Sequence, residues 1–405
     1  MIKRIRGVAA IGLLAATPVF GSSATISVTH DYDGARPAEI IAIPFAQVAS
    51  VLPDARMYHL IVRDAKGRTL SSQITNYEHD HRGSQYDDLV FSYDFSPGEK
   101  HANFVIESVT SARPPEAPCV YARQVPERYD DIAWENDRIA HRMYGAALNS
   151  AAAAGERLRG SGIDVWAKRV PYTIVDRWYA KGHDQFHKDE EGEGLDLYSI
   201  GGSRGAGGTG IWDGMKLWTS DNYSTARVLS NGPRRAAFKL TYAPWDSGAL
   251  GKVSETKQFT IDCGRNFDSV ESIFDFEGEE ALVGVGITAH PQATGFPAPV
   301  LTKDPDGHWM SLWEENSHGG LGVAVVLAND TSSAGYAYEA GATNKDNGNH
   351  LLLVKARRRS PIRYFTGAGW SRSGQFDERA AWESYVKYFY ERTQKPLTIK
   401  VTAAP

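Results

Sequence analysis

The sequence predicts a mostly β protein, a β-sandwich or supersandwich with a C-terminal helix. Short apolar or alternating segments recur along nearly the whole chain, Gly, Pro, Asp and Asn turn residues separate them, and only one long stretch has a helical period. With 405 residues, 42% of them hydrophobic, the chain can bury one large β core or several packed domains and is too apolar to be disordered.

Taken in order, residues 1–24 read as a signal peptide. Lys3, Arg4 and Arg6 form a positive n-region, Val8 to Phe20 is mostly apolar, and Gly21-Ser22-Ser23-Ala24 supplies small residues for cleavage. The apolar run is short and is broken by Pro18, whereas a membrane span needs about 20 apolar residues. Export to the periplasm or the medium is expected, without a membrane span. Losing the three cations of the leader takes the net charge from −5 to −8, which argues against a nucleic-acid partner.

Residues 25–115 read as an N-terminal β unit, with strands expected at 25–30, 38–43, 59–62, 89–93 and 103–109. The Pro-dense stretch from Ser111 to Pro118 cannot continue a sheet, so the boundary is placed there. Residues 116–405 read as a larger sandwich, the expected catalytic domain. Its strands are expected at 138–144, 225–229, 236–242, 253–261, 269–276, 282–290, 321–327, 351–355 and 362–365. Helices are expected at 174–180 and 377–392, the second opened by an Asp cap and placing Ala381, Trp382, Tyr385, Val386 and Phe389 on one face. Cys119 and Cys263 could pair in an oxidising compartment, although two cysteines so far apart are more often independent buried thiols. Neither has the CxxC spacing of a zinc or redox site.

Four constellations carry candidate chemistry. In the first, Trp134 to Gly145, strand alternation puts Arg138, Ala140, Arg142 and Tyr144 on one face and Ile139, His141 and Met143 on the other. Two Arg on one face either bind a carboxylated sugar or pair with Glu135 or a neighbouring strand. His141, on the apolar face, reads as a satisfied core residue. In the second, Asp164-Val165-Trp166-Ala167-Lys168, an indole and a cation suit a sugar, as they also suit a core. In the third, His187 precedes Gly192-Glu193-Gly194-Leu195-Asp196-Leu197-Tyr198. His187 suits proton transfer, the glycines let Glu193 be presented, and alternation sends Asp196 and Tyr198 to one face. An acid–base site, a divalent-metal loop and a solvated acidic loop all fit it, and no HExxH or EF-hand pattern favours the metal. The fourth, Gly201 to Gly210, lacks the GK[ST] of a phosphate loop and reads as a flexible or close-packed loop near the sugar site.

The runs at 134–145, 164–168 and 187–198 resemble the bacterial family called domain of unknown function 4861, over nearly all of the mature chain. Position 141, often aromatic in that family, is His141 here. The resemblance implies a secreted protein of polysaccharide degradation acting on uronic-acid-containing oligosaccharides, with dehydratase activity in some members. The β pattern is also similar to the supersandwich of mutarotases and polysaccharide lyases.

The expected activity is therefore elimination of water or an alkoxide from a terminal uronosyl residue, without a cofactor. His187 is expected as base and Tyr198 or Glu193 as acid. Arg138, Arg142 and Lys168 would neutralise the carboxylate, Asp196 or Glu135 would orient the others, and Trp134, Trp166 and Asp137 would complete substrate binding. A glycoside hydrolase pairing Glu135 or Asp137 with Glu193, and a non-catalytic carbohydrate-binding protein, are the alternatives.

Overall fold

The computed structural model describes residues 20–78, 86–150, 160–182, 185–343 and 347–404. Most of the expected leader lies outside them. Its last residues are in the strand Phe20–Thr29, where Ala24 is fully buried and pairs with Ile106 and Ala403.

The architecture is mostly β, as expected, and every pairing between its strands is antiparallel among the described residues. Two sheets build the N-terminal unit. One runs in the order Thr398–Ala403, Phe20–Thr29, His101–Val109, Leu60–Asp64, Thr69–Leu70; the other runs Arg36–Pro44, Asp88–Phe95, Ser72–Ile74. Alternation dictates how they pack: Ala102, Phe104, Ile106 and Ser108 of His101–Val109 are buried, and Phe104 and Ile106 share a core with Ile41 and Phe91 of the other sheet. The last strand of the chain, assigned from sequence to the larger domain, pairs with Phe20–Thr29 and so completes the N-terminal sheet. Helix α1, Phe45–Val51, was not expected; at seven residues it is too short to display a helical period.

The remaining strands form one eight-stranded and two five-stranded sheets. Their shared core contains Phe238, Phe259, Val270, Val285 and Val325. Helix α2, Val175–Lys181, covers the outer face of the five-stranded sheet that ends in Gly194–Asp196, packing Val175 and Trp178 around Trp166. Helix α3, Arg379–Thr393, covers the outer face of the eight-stranded sheet through Trp382, Val386 and Phe389. A Cβ on Gly322 would stand 2.3 Å from the Trp382 indole, so only glycine lets that ring lie on the strand. The helix starts two residues later than expected, with Glu378 and not Asp377 at the cap position, and Ala381 is exposed.

Two readings change. The glycine-rich segment contains a central strand, Ala206–Trp212, paired with Glu280–Ala289. Its glycines answer to packing, since a Cβ on Gly208 or Gly210 would come within 2.8 Å of neighbouring atoms. Cys119 and Cys263 are bridged, with Cα atoms 5.7 Å apart, which ties the end of the Pro-rich segment to the end of the strand Lys252–Asp262.

Candidate active site

The strand Ala140–Met143 lies between Asp131–Glu135 and Asp164–Lys168. Ala140 and Arg142 point to the α2 side, where the Arg142 guanidinium lies over the rings of Trp166 and Phe186. His141 and Met143 face the core; His141 stacks on Trp134 and its Nδ1 bonds the Asp164 carbonyl at 3.0 Å. Burial lowers the His141 pKa to about 4, so this imidazole is neutral.

Register then assembles the site. Arg142 is directly opposite Asp164, and on the next strand Asp196 is opposite Trp166. Arg142 Nη2 donates to Asp164 Oδ2 at 2.6 Å and to Asp196 Oδ2 at 3.1 Å. Its Nη1 is buried without a hydrogen-bond partner among the described residues. These residues floor a cleft of about 450 Å³ that is also lined by Tyr144, His187, Tyr198, Ser199 and His318. Burial raises the pKa of both carboxyls; for Asp164 the charge of Asp196 adds to it, and Arg142 opposes the rise in each. Such a buried pair titrates as a unit and retains a proton well above the ordinary carboxylate range.

His187 is partly exposed at the rim, its side chain 41% accessible. Its Nδ1 lies 3.0 Å from the Asp196 carbonyl, which can only accept, so Nδ1 carries the hydrogen and the lone pair of the neutral ring is on Nε2. The two tyrosines differ. Tyr198 donates its hydroxyl to the Gly205 carbonyl at 3.2 Å, inside the core. The Tyr144 ring lies beside the Arg142 guanidinium, and its hydroxyl makes no hydrogen bond among the described residues. Burial raises both tyrosine pKa values, so both hydroxyls stay protonated at neutral pH.

Of the residues singled out from sequence, His187, Arg142, Asp196 and Tyr198 converge on this cleft. Others lie elsewhere with partners of their own. Lys168 is fully buried and donates to Glu135 and to the Asn136 and Tyr172 carbonyls. Glu135 in turn accepts from the Ile174 and Val175 amides at the start of α2. Glu193 is enclosed by Tyr172, Arg177, Trp178 and Lys181. Asp137 accepts from the Gly264 amide. The strand expected from residue 138 starts at Ala140, so Arg138 sits in the preceding turn and reaches Asn266. Trp134 and Trp166 are fully buried, and neither offers a ring face to the cleft.

Asp164, Tyr144, Ser199 and His318 were not singled out. Asp164 begins the second constellation and Tyr144 shares the expected face of Arg142, so two of these carry a sequence signal. His318 arrives on the turn before Gly319–Leu327, more than a hundred residues away in sequence, and had none. Of the groupings of metal-ligating residue types among the described residues, both outside this cleft, Cys119, Asp137 and Cys263 have their sulfurs in the disulfide, which leaves Asp304, Asp306 and His308.

A model of the family described as domain of unknown function DUF4861 matches residues 28–399. The chain belongs to that family. A relative called uncharacterized protein P7, from Formosa agariphila, is 29% identical over 403 residues, spanning 96% of this chain and 98% of its own. Among solved structures, a glycosyl hydrolase family 38 protein from Enterococcus faecalis is similar at 11% identity, with a TM-score of 0.50 over 94% of this chain and 47% of its own. An alpha-mannosidase from the same organism gives 10% identity and a TM-score of 0.48. The DUF4861 chain spans about half the length of these solved structures, and what it shares with the first is the fold.

Proposed function

We propose that the protein is an exported carbohydrate-active enzyme that eliminates water or an alkoxide from a terminal uronosyl residue of an oligosaccharide. The observation that carries this reading is Arg142, a cleft-lining guanidinium with an unspent N–H, set beside a histidine whose Nε2 holds the lone pair. The β fold shared with a glycosyl hydrolase family 38 protein supports a sugar substrate, and the leader-like residues 1–24 support export.

In this reading the guanidinium neutralises the uronate carboxylate, which makes the proton on the adjacent carbon acidic. His187 Nε2 takes that proton, the C–H electrons form the C=C bond, and the C–O bond breaks toward oxygen. The Tyr144 hydroxyl gives its proton to the departing oxygen. Tyr144 replaces Tyr198 and Glu193 as the acid because the Tyr198 hydroxyl and the Glu193 carboxylate already have partners within the fold. Asp164 and Asp196 hold Arg142 in place, and Asp196 also fixes the His187 tautomer through its carbonyl.

The test is incubation with uronate-ended oligosaccharides while following ultraviolet absorption of the conjugated C=C–COO⁻ product. Growth of that band supports elimination. New reducing ends without the band would favour hydrolysis, and binding without either would favour a carbohydrate-binding protein.

A further inference from the structure

A second cleft, of about 600 Å³, opens beside the first, lined by His290, Leu301, Leu312, Tyr338 and His350. Ser199 separates the two: it lines the first cleft, and its carbonyl accepts from His290 Nε2 at 2.6 Å and from Asn347 Nδ2 at 3.2 Å, both residues of the second. A ligand longer than one sugar unit leaving the first cleft past Ser199 therefore enters the second.

The lining has the chemistry of a sugar site. Tyr338 is 57% exposed, and its ring stands 5.4 Å from that of His350. A large aromatic left in solvent on a concave wall offers an apolar face for sugar C–H groups and a hydroxyl for polar ones. Burial, with Lys303 nearby, lowers the His350 pKa, and a neutral imidazole offers one donor and one acceptor to hydroxyls. Leu301 and Leu312 add apolar side chains to an otherwise polar lining. His290 has acceptors on both nitrogens, Glu314 Oε2 at 2.8 Å and the Ser199 carbonyl, so it braces the dividing wall.

We propose that the second cleft is a saccharide subsite that holds the sugar units following the terminal uronosyl residue. The assignment of those units rests on the elimination reading of the first cleft; the binding of sugar at Tyr338 does not.

The test is calorimetric titration of wild type, Tyr338→Ala and Tyr338→Phe with glucuronate-ended di-, tetra- and hexasaccharides, alongside turnover of each. Tyr338→Ala is expected to weaken the two longer ligands about tenfold, as loss of one stacked ring implies, and to leave the disaccharide unchanged, while Tyr338→Phe keeps most of the affinity. Equal loss at every length, loss at none, or a wild type that binds none of the series overturns the subsite. A length-dependent Tyr338 effect in a protein without elimination activity rejects only the reading of the first cleft. Elimination that is indifferent to Tyr338 at every length rejects only the subsite.

Discussion

Arg142 and Asp164 occupy directly opposed positions on neighbouring strands, and Arg142 Nη2 lies 2.6 Å from Asp164 Oδ2 with both side chains almost fully enclosed. With Asp196 on the same nitrogen, one cation is the counter-charge of two buried carboxylates. Arg142→Ala should therefore cost about 3–5 kcal/mol at pH 8, where the buried carboxyls must either ionise without their counter-charge or hold protons that the unfolded chain has released, and less at pH 5, where protonation costs less. Urea melts at the two pH values check this. A loss independent of pH would mean that the ion pair does not govern the effect.

His187 is at the rim and packs little surface, so replacing it should be nearly silent in stability. His187→Ala is expected to lower kcat by about 10²–10⁴ while KM and the urea midpoint hold, because proton transfer contributes to the barrier and not to ground-state binding. Retained turnover would remove the residue from the mechanism.

Tyr144 and Tyr198 separate acid catalysis from architecture. Tyr144→Phe should lose most turnover and stay folded, since its hydroxyl has no hydrogen bond to lose among the described residues. Tyr198→Phe removes one of two donors to the Gly205 carbonyl, the Thr288 amide remaining, and should cost about 1 kcal/mol of stability with little change in kcat. Steady-state kinetics paired with thermal melts distinguish them; the opposite pattern would return the acid to Tyr198.

What could be read from the sequence depended on how local the cause was. Alternation along residues 140–143 correctly set Arg142 on the face opposite His141 and Met143, because period-2 geometry is fixed by the backbone, although Arg142 is buried there. It could not tell that α2 would close over Trp166 and Lys168, since that depends on an element from elsewhere in the chain. A buried Lys paired with a buried Glu, as in Lys168 and Glu135, has the same composition as an exposed binding pair. The strand at Ala206–Trp212 was hidden because glycine signals a turn locally, whereas here it answers to the close approach of backbone and side-chain atoms from elsewhere in the chain. The last strand, Thr398–Ala403, was not among the expected ones, and its pairing with the first is a relation that spans the whole chain.

The Cys119–Cys263 bridge spans 144 residues of sequence and encloses every residue of the candidate active site except His318. Reduction, or Cys119→Ser with Cys263→Ser, should lower stability by up to about 5 kcal/mol, as constraint of the unfolded chain over so long a loop implies. The native sheets hold these residues independently, so activity at room temperature should survive. Denaturant unfolding with and without dithiothreitol is the check, and identical midpoints would show that the bridge adds nothing.

Asp268 makes the clearest pH prediction. It is fully buried; Trp134 Nε1 donates to its Oδ2 at 2.7 Å, its Oδ1 has no hydrogen bond, and the nearby His141 is neutral. Burial raises its pKa to about 7 against the weaker pull of the Trp134 bond, whereas an unfolded Asp titrates near 3.9. Between those values the unfolded chain releases a proton that the folded chain keeps, so stability falls as pH rises from about 4 to about 7 and then levels. Asp131, raised by burial to about 6, acts in the same direction. Asp268→Asn retains an acceptor for Trp134 and cannot ionise. The variant should therefore gain stability over wild type at pH 8 and narrow, without abolishing, the difference between pH 5 and pH 8 in urea melts. If wild type and Asp268→Asn show the same dependence on pH, Asp268 is ionised in the folded protein and the buried-acid reading of this position is wrong.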